Sequence, residues 1–90
     1  EMSELQDYIG KPVVVDTKSE YMYIGILLLD GEEFLTLNNV DVHDHSSTST
    51  TKEFYIMESA KFDIKKNRKQ VKVRKQEMIS ISLLEDVHVF

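Results

Sequence analysis

The chain has no cysteine, one proline and three glycines among its 90 residues. Without cysteine there are no disulfides, thiolate metal sites or cysteine nucleophile, and the composition fits a reducing compartment. Three glycines are too few for a Gly-rich phosphate loop, and no serine stands at a nucleophile elbow. The expectation is therefore a protein that is not an enzyme and needs no cofactor. Long hydrophobic runs are also missing. The longest aliphatic stretch, Ile26 to Leu29 with Ile24 behind Gly25, is far short of the ~20 residues that cross a bilayer. No secretory pattern is visible either, so a soluble, cytoplasmic protein without membrane contact is expected. Its length suits a single domain, 1–90, with a modest core and little stability to spare unless it oligomerises.

Positive charge is scarce overall, with a formal net charge of −5, but it is concentrated. Residues 61–75 hold eight Lys or Arg against the single acid Asp63, while the rest of the chain holds three Lys against fifteen acids. The distribution matters more than the sum, because a clustered basic segment can meet nucleic acid on an otherwise acidic body.

The stretch Pro12 to Val42 reads as three antiparallel strands. Val13, Val14 and Val15 are β-branched, and Tyr21 to Leu29 is apolar or aromatic apart from Gly25, whose place inside a strand points to a sharp bend or a close backbone approach. Lys18-Ser19-Glu20 and Asp30-Gly31-Glu32-Glu33 supply the turns. Strict alternation sets Leu35 and Leu37 on one face of the third strand and Phe34, Thr36, Val40 and Val42 on the other. Because the second strand is apolar on both faces, its outer row must be covered by a helix or another subunit.

At the start, Ser3-Glu4-Leu5-Gln6 has capping-box spacing, and Leu5, Tyr8 and Ile9 form an apolar stripe that Gly10 and Pro12 terminate, so a short helix of about residues 3–10 is expected. The Ser/Thr run 46–51 is a surface loop. Beyond it, Thr50-x-x-Glu53 with Phe54, Met57 and Ala60 favours a short helical turn, although Phe54-Tyr55-Ile56 also fits a strand. Val71 and Val73, then Ile79, Ile81 and Leu83, alternate as strands.

A valine-rich first strand, a mid-strand glycine in the second (Tyr23-Ile24-Gly25-Ile26-Leu27), Asp30 at the turn and Leu35-Thr36-Leu37-Asn38 in the third resemble the first motif of Sm and Sm-like proteins. Val71 to Ile81 resembles the shorter second motif. The resemblance implies a mainly β fold, a five-stranded, strongly bent antiparallel barrel of SH3-like type with a short N-terminal α-helix. Strands are expected at about 12–19, 21–30, 34–44, 70–75 and 77–85, with an inserted loop at about 45–69; another SH3-like small barrel is the alternative fold. The core should comprise Leu5, Ile9, Val13, Val15, Leu27, Leu35, Leu37, Val73, Ile79 and Ile81. The resemblance further implies a homo-oligomeric ring of six or seven subunits that binds RNA in processing or regulation; a scaffold ring without RNA binding is the alternative.

The resemblance also orders the candidate site residues. Where RNA-binding Sm proteins carry Asp-x-His-x-Asn, this chain has Asp30, Glu32 and Phe34. Glutamate repels phosphate, and phenylalanine can stack on a base but cannot read its edge, so the turn is expected to be structural rather than RNA-binding, with Asp30 and Phe34 kept as candidate RNA contacts. At the family's Arg-Gly-Asn stand Arg74, Lys75 and Gln76, and the lysine loses the permissive glycine backbone. Affinity for RNA would then come chiefly from Lys65, Lys66, Arg68, Lys69, Lys72, Arg74 and Lys75 acting on phosphates, with Phe34 contributing little. A last candidate, Asp41-x-His43-x-His45, has a spacing that could share a divalent metal, but three polar residues on an exposed strand face are commonplace. No metal is expected, with His43 and His45 only weak candidates.

Overall fold

The computed structural model describes residues 4–47, 51–61 and 64–88. In chain order these form a 3-10 turn Gln6–Tyr8, β1 (Pro12–Thr17), β2 (Tyr21–Asp30), β3 (Phe34–Asp44), a 3-10 turn His45–Ser47, α1 (Lys52–Lys61), β4 (Arg68–Arg74), a 3-10 turn Lys75–Glu77, β5 (Met78–Leu83) and a 3-10 turn Leu84–Asp86. The five strands make one antiparallel sheet in the order β4-β3-β2-β1-β5. The expectation of a mainly β, bent five-stranded sheet with a short N-terminal helical element holds.

Gly25 explains the bend. A β-carbon there would lie 3.0 Å from both the Asn38 carbonyl oxygen and Val40 Cγ2, so the glycine lets β3 fold across β2. β3 answers with a bulge. Its register against β2 slips between Asp41 and Asn38, and Asn39 takes a left-handed φ of 51°. The extra residue reverses the facing of everything beyond it. Val40 therefore joins Leu35 and Leu37 in the interior, and Val42 packs there too, correcting the strict alternation read from sequence.

A further bulge, in β5, corrects the last strand. Asp16 pairs with Ser80 but Thr17 with Met78, leaving Ile79 as the unpaired extra residue. Ile79 is consequently 61% exposed, while Met78, Ile81 and Leu83 pack inward. At the N-terminus the expected cap Ser3 lies outside the described residues, and the helix is a single 3-10 turn. It ends early because Gly10, at φ 84°, donates to Leu27 O (2.7 Å) while Leu27 N donates to Lys11 O (3.1 Å), drawing the chain straight onto β2. Leu5 and Tyr8 reach the core, but Ile9 is exposed, contrary to expectation.

Two apolar clusters lie on opposite faces of the sheet. The interior holds Val13, Val15, Leu27, Leu35, Leu37, Val40 and Val73. The outer row of Val14, Met22 and Ile24 is covered by Tyr55 and Ile56 of α1, by Ile64, and by Leu84 and Val87. Burying each such aliphatic side chain contributes about 1.5–3 kcal/mol, which is ample reason for α1 to dock. The span 45–69, expected as an inserted loop with a short helical turn, thus contains the α-helix that closes the outer face. Its cap is Thr51, whose Oγ1 accepts from Phe54 N (3.2 Å); Thr50 lies outside the described residues. Lys52 pairs with Asp16 (2.7 Å) to fix the helix start to β1.

Candidate nucleic-acid interface

The β2–β3 turn and the β4–β5 turn meet. Gly31 N donates to Phe34 O (2.9 Å) to close the first turn, and Lys75 N donates to Glu33 O (2.8 Å) to join the second to it. The Lys75 ammonium then donates to Gly31 O (2.8 Å) and pairs with Asp30 Oδ1 (2.5 Å), whose side chain is only 10% exposed. The turn at Lys75–Glu77 needs no glycine, because Asn39 is the one non-glycine residue with positive φ among the described residues. Lysine at this position exchanges backbone freedom for a tie between turns.

Register sets Phe34 opposite Arg74, and the Arg74 guanidinium carbon lies 5.1 Å from the Phe34 ring centroid, a cation–π contact. Asp30, Phe34, Arg74 and Lys75 are therefore brought to one place, with Gln76 exposed in the same turn. Beside them a cleft of about 430 Å³ is lined by Leu29, Gly31, Glu32, Glu33, Phe34, Thr36 and Lys72. Lys72 Nζ sits 3.4 Å from Thr36 Oγ1 on its wall. Glu32 and Glu33 are exposed at its rim, so the site mixes an aromatic platform and cations with two acids.

Lys65, Lys66, Arg68 and Lys69 are not part of this cluster. They lie at the opposite end of β4, about 20 Å away at the ordinary rise per residue of a strand. Asn67 anchors that end. Its backbone N donates to Val40 O (2.9 Å), its Nδ2 to Asp41 Oδ1 (3.0 Å), and its Oδ1 accepts from Val42 N (3.0 Å). The four cations around it are exposed, and among the described residues none forms an ion pair.

Of Asp41, His43 and His45, expected on one face, the structure sets Asp41 and His43 on one cavity wall and leaves His45 off the strand. β3 ends at Asp44, so His45 belongs to the following 3-10 turn. Asp41 is already engaged, accepting from the Tyr55 hydroxyl (2.5 Å) and from Asn67. His43 stacks on the Tyr55 ring, with centroids 3.8 Å apart and planes 12° from parallel. No group of three metal-ligating side chains converges among the described residues. Burial, reinforced by the bond to Asp41, pushes the Tyr55 phenol well above its ordinary range and keeps it protonated. Sequence reading missed both Tyr55 and Asn67 as partners of Asp41, because they stand 14 and 26 residues away and no local pattern links them.

No family model and no curated protein matches the sequence. Solved structures do. An Sm protein of Pyrococcus abyssii in complex with a uridine heptamer superimposes with a TM-score of 0.61 at 14% identity, covering 88% of this chain and 90% of that one. This is the Sm fold. A heptameric archaeal Sm protein agrees at TM-score 0.55 and 22% identity over 88% of this chain and 93% of its own. A chain of the NatC complex bound to CoA shares the Sm fold too, at TM-score 0.61 and 17% identity over 97% and 92%. No helix among the described residues is long and apolar enough to cross a membrane.

Proposed function

We propose that this Sm-fold chain is a non-catalytic, cytoplasmic ring protein that binds single-stranded RNA through its paired turns. The observation that carries the reading is the Phe34–Arg74 contact, which puts an aromatic face and a guanidinium plane at the junction of two turns. Both surfaces stack on bases of any sequence, and neither reads a base edge, so weak sequence preference follows. On this reading Phe34 contributes more than the phosphate-only expectation allows, since base–aromatic stacking contributes about 1–3 kcal/mol per base. A neighbour of the same fold in complex with a uridine heptamer supports this reading.

Ring assembly is argued from the edges. β4 and β5 are the two outer strands, and β5, Met-Ile-Ser-Ile-Ser-Leu, has no charge and no proline to discourage pairing. Pairing β5 of one copy with β4 of the next is head-to-tail and closes when the rotation permits. Heptameric neighbours of the same fold support closure.

A second reading, a protein-interaction ring without RNA, is favoured by the exposed Glu32 and Glu33 beside Phe34 and by the spending of Lys75 on Asp30. The shared fold of the NatC-complex chain fits it. Light scattering coupled to size exclusion, followed by fluorescence anisotropy with uridine-rich and mixed oligonucleotides at low salt, decides. A multiple of 10.5 kDa that binds both RNAs comparably supports the RNA ring. A monomer refutes the ring, and a ring that binds neither RNA leaves the interaction reading.

A further inference from the structure

We propose that the outer face of β4 is a phosphate track, along which an RNA strand seated on Phe34 and Arg74 continues to Lys65 and Lys66. The inference rests on the RNA reading of the paired turns and goes beyond it by assigning the strand's path on each subunit. Four observations carry it. Along β4 the side chains of Arg68, Gln70, Lys72 and Arg74 alternate with the inward-packed Val71 and Val73, and all four are exposed. They form one row, three cations and an amide, and not a scatter of surface charge. Lys72 lines the cleft beside Phe34, and Lys65 and Lys66 line a second cavity with Asp41, His43, Tyr55, Glu58 and Asn67, so the row has a concave site at each end.

The cations at the far end are also available. Lys65 and Lys66 have no protein partner among the described residues, and Arg68 donates to its neighbour's carbonyl, Asn67 O, whereas Lys72 Nζ lies 3.4 Å from Thr36 Oγ1 and Arg74 lies over Phe34. Lys75 is different, because its ammonium is occupied by Asp30 and Gly31 O. The far end is held in place before any ligand arrives, since the Asn67 side chain makes three bonds to β3 and its backbone a fourth. With the backbone already anchored, only the rotamers of the cationic side chains remain to be ordered on binding. The second cavity also holds two acids, Asp41, whose oxygens accept from Tyr55 and Asn67, and the exposed Glu58. Both oppose the field of its two lysines, so the net positive charge of the track lies along the β4 row itself.

The length of the track sets the test. At about 3.4 Å per nucleotide of a stacked strand, the ~20 Å of β4 corresponds to roughly six nucleotides. Anisotropy is measured with an oligonucleotide of about four nucleotides and one of about twelve, on the intact protein and on the exposed double variant Lys65→Gln/Lys66→Gln, with circular dichroism to establish that the fold is kept. The expected result is a loss of about 3- to 10-fold for the longer RNA, with its logarithmic salt slope shallower by about 1.4, and no change for the shorter. If the intact protein binds both lengths and the variant does too, undiminished, the strand runs elsewhere, such as from turn site to turn site around a ring, and the track is overturned alone. Equal weakening at both lengths also overturns it, as a general field effect. No binding of either RNA by the intact protein overturns the track together with the RNA reading.

Discussion

The two ends of β4 carry similar residues put to different uses. At the Arg74 end the cations are engaged: Lys75 ties two turns through Asp30, and Arg74 lies over Phe34. At the Lys65 end a neutral side chain, Asn67, does the anchoring, and the cations around it face solvent. In sequence the two ends form one basic run. The difference teaches that formal charge is a poor measure of what remains for a ligand, because a cation paired with a nearly buried carboxylate has little field left to offer a phosphate.

The largest effect should come from breaking the engaged end. Lys75→Ala removes two charge-assisted bonds and leaves Asp30 largely buried without its cation, so a stability loss of about 2–4 kcal/mol is expected in urea unfolding. A loss under about 0.5 kcal/mol would mean that the tie is ornamental and that the two ends are alike.

Next comes Tyr55→Phe, which keeps the ring stacked on His43 but withdraws the hydroxyl from Asp41, at a cost of about 1.5–3 kcal/mol. The same residue gives a pH test. Its phenol titrates above the unfolded value of 10.0, so folding favours the neutral form. That stabilisation is complete below about pH 10 and is lost as pH rises beyond it, when the unfolded chain ionises and the folded one resists. Stability should fall above about pH 10, and Tyr55→Phe should flatten the fall. Tyr23, raised by burial and by Tyr21, contributes in the same sense, so a residual slope remains. A variant slope equal to the parent's would detach Tyr55 from the effect.

The smallest effect on stability belongs to the free end. Lys66→Ala and Arg68→Gln should each change unfolding free energy by less than about 0.5 kcal/mol. If either destabilises as much as Lys75→Ala, the free end is structural.

Much of the fold was legible in the chain, and the reason is physical. Period-two runs and Asp-Gly turn chemistry mark β2 and β3, and Gly25 advertises the bend that a side chain there would block. The bulges were not legible, since one extra residue leaves no compositional trace yet reverses a whole face. Val40 turns inward and Ile79 outward, against the simple alternation, for that reason. The need to cover the outer row was evident from the two-sided β2, but that α1 does so depends on Tyr55 and Ile56 meeting Met22 and Ile24 across the chain. At the candidate site the resemblance brought Asp30, Phe34 and Arg74 into view, whereas the bond from Lys75 to Asp30 spans 45 residues and belongs to the tertiary structure alone.

The most direct test is photo-crosslinking of the protein to a mixed-sequence RNA carrying 4-thiouridine, with the attached peptides read by mass spectrometry. RNA seated on the paired turns and led along β4 should crosslink to the peptide bearing Phe34 and to the segment 65–72. Crosslinks confined to other surfaces, or none while the RNA is demonstrably bound, would contradict it.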